Sequence, residues 1–137
     1  MILLFIMLFN IDIDVAVQIR YPGLNREFIK DLKVFYLIDN QLVSPQANLG
    51  HETGFEVSMD GGEVLLKVFP HIPKDKSPAT TILKFNARRQ DTLTTFYQFS
   101  KAGVRCSKVL YNRALKWDLD NGKFPALRKI TIVMNND

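Results

Sequence analysis

Few residues of this 137-residue chain carry reactive side-chain chemistry: two histidines, one cysteine and a short acidic run. His51 and His71 fall in separate loops. His51-Glu52 together with Asp12 and Asp14 would make a divalent-cation site only if the fold brought them together; a lone surface histidine is the commoner arrangement. Cys106 stands in Arg105-Cys106-Ser107-Lys108, where neighbouring cations favour a thiolate, and only His51 or His71 is present to serve as its base. A metal-dependent or cysteine hydrolase would have to be built from these three residues. Strand alternation puts Cys106 in phase with Val104, which makes it a half-buried, inert thiol. Asp118-Leu119-Asp120-Asn121-Gly122 has the look of a calcium loop. Counted from Asp118, the fifth, sixth and twelfth positions hold Gly122, Lys123 and Lys129, where such a loop needs an oxygen ligand, Gly and Glu. A hairpin turn with Asn121-Gly122 at its tip is the expectation instead. Nucleophile elbow, phosphate-binding glycine loop and dinucleotide fingerprint are all lacking. The residues therefore argue against an enzyme, and no catalytic residue, metal or cofactor is expected.

Charge is the next candidate for function. Up to Leu83 the chain carries seven bases and ten acids, a net −3; from Lys84 onward it carries eleven bases and four acids, a net +7. Phe96, Tyr97, Tyr111, Trp117 and Phe124 interleave with those bases. Basic groups alternating with stacking rings suit single-stranded nucleic acid, an acidic glycan or an anionic lipid surface. On that reading the anion contacts are Lys84, Arg88, Arg89, Lys101, Arg105, Lys108, Arg113 and Lys116. The competing reading is a solvated basic face with core aromatics, and no aromatic RNA-binding motif is present.

The elements that must position these groups read as strands. Residues 32–38 (LKVFYLI) are a strongly β-prone, mostly buried run closed by Asp39-Asn40. Phe55, Val57 and Met59 alternate with polar residues, Asp60-Gly61-Gly62 supplies positive φ, and Val64, Leu66 and Val68 resume the alternation. Pro70 and Pro73 end that strand, and residues 70–78 form a stiffened loop. Residues 80–85, 94–99 and 130–134 are further strands, residues 25–31 one helical turn, and 104–116 either a short helix or a strand pair. Seven or eight short strands with at most one or two short helices make an all-β, single-domain antiparallel β-sandwich over residues 1–137.

The N-terminal stretch is the most unusual. Leu3, Phe5, Met7, Phe9, Ile11, Ile13, Val15, Val17 and Ile19 form an unbroken odd row, while Ile2, Leu4, Ile6 and Leu8 make the even row apolar as well. Period two over this length means extended chain, buried on both faces at first and on one later. Neither a basic region nor a small-x-small cleavage site accompanies it, so a secretion signal is not expected. A straight strand over residues 2–19 would span about 60 Å at ~3.3 Å per residue, too long for one small domain. It must bend and change sheets near Asn10, or project onto a partner chain. In the second case Ile2, Leu4, Ile6 and Leu8 are interface residues of a homo-oligomer.

Val34-Phe35-Tyr36-Leu37-Ile38-Asp39-Asn40-Gln41, followed by the residue 55–68 hairpin, resembles the layout of prealbumin-like and peptidase-regulatory-like sandwiches. The resemblance implies a Greek-key or prealbumin-like accessory module. One cysteine excludes an internal disulfide framework, and without disulfides or an N-x-Ser/Thr sequon the cytoplasm is favoured. No apolar run reaches the roughly 18 residues of a membrane-spanning helix. The reading that best joins these features is a non-catalytic binding or assembly module. Its partner would be another protein or a second copy; an anionic ligand or nucleic acid is the alternative.

Overall fold

The computed structural model describes residues 12–45, 53–125 and 127–134. The expected interface positions Ile2, Leu4, Ile6 and Leu8, the bend at Asn10, and His51 lie outside these residues. The strands are β1 (Asp12–Asp14), β2 (Val17–Tyr21), β3 (Lys33–Ile38), β4 (Gln41–Val43), β5 (Phe55–Asp60) and β6 (Glu63–Val68). They continue as β7 (Ala79–Lys84), β8 (Gln90–Ser100), β9 (Gly103–Tyr111), β10 (Ala114–Asp118) and β11 (Lys129–Thr131). Among the described residues, helical content is one 3₁₀ turn, Arg26–Ile29, capped by the Asn25 side chain, which accepts from the Glu27 amide at 3.0 Å.

The chain is an all-β sandwich. Its larger sheet has the order β1-β9-β8-β7-β3-β4, with β10 also paired to β9, and its smaller sheet the order β11-β2-β6-β5. Eleven strands are present among the described residues, more than the seven or eight expected. The surplus is short edge strands of three to five residues. Most pairs are antiparallel, but β1 runs parallel to β9 and β11 parallel to β2, so both sheets are mixed. The N-terminal chain does change sheets, at Val15 and Ala16: β1 joins the larger sheet and β2 the smaller. The apolar row runs through that break in phase, with Val15, Val17 and Ile19 all buried.

The Asp60-Gly61-Gly62 hairpin forms as its residues dictate, with Gly61 and Gly62 at positive φ. The uncertain stretch after Gly103 is a strand pair, β9 and β10. The Asn121-Gly122 hairpin does not form: after β10 the chain crosses to the other sheet, where β11 lies beside β2. Arg128 holds this crossing. Its guanidinium sits 5.2 Å over the Trp117 ring, donates to the Ala16 carbonyl at 2.8 Å, and pairs with Asp14 at 3.0 Å. The Trp117 indole donates to the Pro125 carbonyl at 2.8 Å.

The core lies between the sheets. Val17, Ile19, Tyr21, Val64, Leu66, Val68 and Ile130 face Val34, Leu83, Leu93, Val109, Tyr111 and Trp117. One polar chain crosses it. The Tyr21 and Tyr111 hydroxyls are 3.0 Å apart, Tyr111 donates to the buried Asp91 carboxylate, and Arg89 Nε donates to Asp91 at 2.8 Å. Burial pushes both phenols well above their ordinary range, so they stay protonated donors.

Candidate interaction surface

Strand register assigns every side chain to the core or to an outer face, and the two outer faces differ in chemistry. On the smaller sheet, Gln18, Arg20, Glu56, Ser58, Glu63, Lys67, Lys129 and Thr131 point outward, with Leu65 the apolar residue among the described strands and the exposed Leu127 beside β11. Arg20 pairs with Glu63 at 2.8 Å and Lys129 with Asp60 at 3.3 Å. Hydrogen bonds from Arg20 and from the Gly23 amide hold the Glu63 carboxyl below its usual range. This is an ordinary wetted face.

The larger sheet is different. Leu42 pairs across to Leu37, Leu37 to Thr80, Thr80 to Thr94, Thr94 to Leu110 and Leu110 to Leu115. One uncharged row therefore crosses six strands on the outside of the molecule, with Leu37, Leu42 and Leu115 exposed at 36%, 53% and 45%. Phe35, Ile82 and Thr92 form a second row on the same side, with Phe35 and Thr92 half-buried and Ile82 buried. The exposed leucines stand at the two ends of the first row, with half-buried Thr80, Thr94 and Leu110 between them. Apolar side chains gain roughly 25 cal/mol for each Å² removed from water, and exposed apolar patches mark contact surfaces. At one end the β3–β4 hairpin also exposes Ile38 and Val43, each at 37%, on its inner side. Asp39 and Asn40 make its tight turn with φ of 52° and 63°.

Beside this hairpin lies a cavity of about 550 Å³ lined by Leu37, Ile38, His71, Pro73, Asp75 and Pro78, among others. His71 stacks 5.1 Å from the Tyr36 ring, its carbonyl accepts from Tyr97, and its Nδ1 is buried without a partner. Burial alone holds the imidazole below its ordinary range.

The bases from Lys84 to Lys116 are not gathered in one place. Lys84, Arg88, Arg89 and Arg113 lie at the end of the larger sheet where β8 begins; Lys101 and Arg105 lie at the other end, beyond most of the eleven-residue β8. Arg89 turns inward to Asp91. Lys108 faces outward over its cross-strand neighbour Phe96, 5.3 Å from the ring, and Lys116 falls at the β10 irregularity between Leu115 and Trp117. Lys84 stands opposite Lys33 and Gln90.

Cys106 faces the core and is fully buried. Its thiol donates to the Lys108 carbonyl at 3.5 Å, and burial pushes its pKa up to about 11. The thiol stays protonated because desolvation outweighs the pull of the Arg128 charge. Among the described residues, no group of three or more His, Cys, Asp and Glu side chains is placed to hold a metal ion, and no helix is long and apolar enough to cross a membrane.

The apolar outer row was not among the sequence-predicted sites. Each strand contributes one or two residues to it, so no local window shows it. The one local signal was β3, whose run is apolar at successive positions and therefore needs cover on both faces. Comparison with protein-family models, curated proteins and solved structures returns no match.

Proposed function

We propose that this chain is a non-catalytic binding and assembly module that associates with itself through the exposed apolar side of its larger sheet. The observation that carries the reading is the uncharged row from Leu42 to Leu115, set against the charged outer face of the smaller sheet. An apolar face on one sheet only is the pattern of a surface meant to be covered. The strongly apolar N-terminal segment, with Ile2, Leu4, Ile6 and Leu8 as candidate interface residues, adds contact area of the same character.

Hydroxyl-radical footprinting of the full chain at low and high concentration tests this. Leu37, Leu42 and Leu115 should become protected as concentration rises, while Met59 and Leu65 on the smaller sheet stay unchanged. Labelling independent of concentration at all three leucines would overturn the reading.

A further inference from the structure

The larger sheet ends at β4, a strand of three residues whose outer edge pairs with no other strand among the described residues. Natural edges are usually blunted by charge, proline or a bulge, since their unpaired amides and carbonyls invite another strand. Gln41-Leu42-Val43 has none of these. The hairpin behind it is apolar on both sides: Leu37 and Leu42 outward, Ile38 and Val43 inward, all exposed. A strand added there would need apolar residues at both odd and even positions. One segment of the chain has that composition, residues 2–9 (ILLFIMLF), which carry no charge.

The point where that segment joins the fold decides which copy it can reach. Asp12 pairs with Gly103, the first residue of β9, so β9 offers nothing further for residues upstream of Asp12 to pair with. β1 and β4 lie at opposite ends of the strand order β1-β9-β8-β7-β3-β4. Five interstrand spacings of about 4.8 Å separate them by about 24 Å. Phe9, three residues before Asp12, reaches at most about 10 Å, and roughly seven extended residues are needed to cross. Most of the segment therefore cannot lie along its own β4, whereas the β4 of another molecule carries no such limit.

We infer that residues 2–9 of one copy add as an edge strand to β4 of a second copy. The inference rests on the assembly reading above and names its acceptor. Backbone hydrogen bonds to the β4 edge hold the strand, and its two apolar faces cover Leu37 and Leu42 on one side and Ile38 and Val43 on the other. Reciprocal exchange closes a dimer; one-way exchange gives a ring or a chain.

Disulfide trapping in the full chain, with Cys106→Ala as background, tests this. Donor molecules carry Leu4→Cys, Ile6→Cys or Leu8→Cys, and acceptor molecules carry Leu42→Cys or, as a control on the smaller sheet, Ser58→Cys. Mixed and oxidised, at least one donor should cross-link to the Leu42→Cys acceptor several-fold more than to the control. A second variant, Leu42→Lys with Val43→Lys, should weaken self-association at least tenfold with the circular dichroism spectrum unchanged. If the protein associates but neither result appears, the β4 acceptor is wrong and the assembly reading stands. If it does not associate at any concentration, both fall.

Discussion

Asp91→Ala should be among the most destabilising single substitutions in this protein. The carboxylate is buried, accepts from Arg89 Nε at 2.8 Å and Nη2 at 3.2 Å, and also accepts from Tyr111, which in turn meets Tyr21 at 3.0 Å. Removing it leaves the Arg89 guanidinium short of its carboxylate and the interior Tyr111 hydroxyl without its acceptor, while Tyr21 keeps Tyr111 as its partner. Breaking one partner out of a buried ion pair costs about 3–5 kcal/mol. Because the Arg89 side chain is about a third exposed and partly rehydrated, the lower end applies, about 3 kcal/mol. With a urea m-value of about 1–3 kcal/mol/M, the midpoint should fall by about 1–3 M with m unchanged. Tyr111→Phe removes only the middle link, because Arg89 still holds Asp91, and should cost about 1–3 kcal/mol. The double variant should lose less than the two singles together, with a coupling of at least about 0.5 kcal/mol. If Asp91→Ala unfolds within about 0.5 kcal/mol of the parent, the polar chain does not support the sandwich and the reasoning fails.

Three further outcomes follow from single groups. Thr81 is buried on the core face with its hydroxyl unpartnered, so Thr81→Val should raise stability by up to about 1 kcal/mol in urea denaturation; a loss would mean the hydroxyl has a partner. Cys106, with its pKa raised to about 11, should react with a thiol reagent at pH 8 far more slowly in the native chain than in urea; equal rates would place it at the surface. His71 has a lowered folded pKa, so the unfolded chain binds its proton first as pH falls. Stability should therefore drop as pH goes below about 6.5, the ordinary histidine value, and His71→Gln should flatten that part of the curve. An unchanged slope in the variant would assign the effect elsewhere.

Much of the sandwich was legible because its strands alternate and its turns carry residues suited to positive φ, as Asp60-Gly61-Gly62 does. The N-terminal break was hidden for a physical reason: alternation reports which side a residue faces, and Val15 and Val17 face the same core from two different sheets. Residues 104–116 gave no clear period because the register slips opposite Phe96 and Tyr97 and again between Leu115 and Trp117, shifting the phase within each strand. Arg89 and Arg128 counted toward a basic surface, yet Asp91 and the Trp117–Ala16 site draw both inward. The apolar outer row exists only once six strands are in register, so strand order had to be known before it could be seen.

The central claim is self-association through apolar surface, and the mass of the full chain in solution bears on it most directly. Sedimentation equilibrium across a hundredfold concentration range should give a weight-average mass rising above the 15.7 kDa of one chain. A single 15.7 kDa species at every concentration would contradict the account.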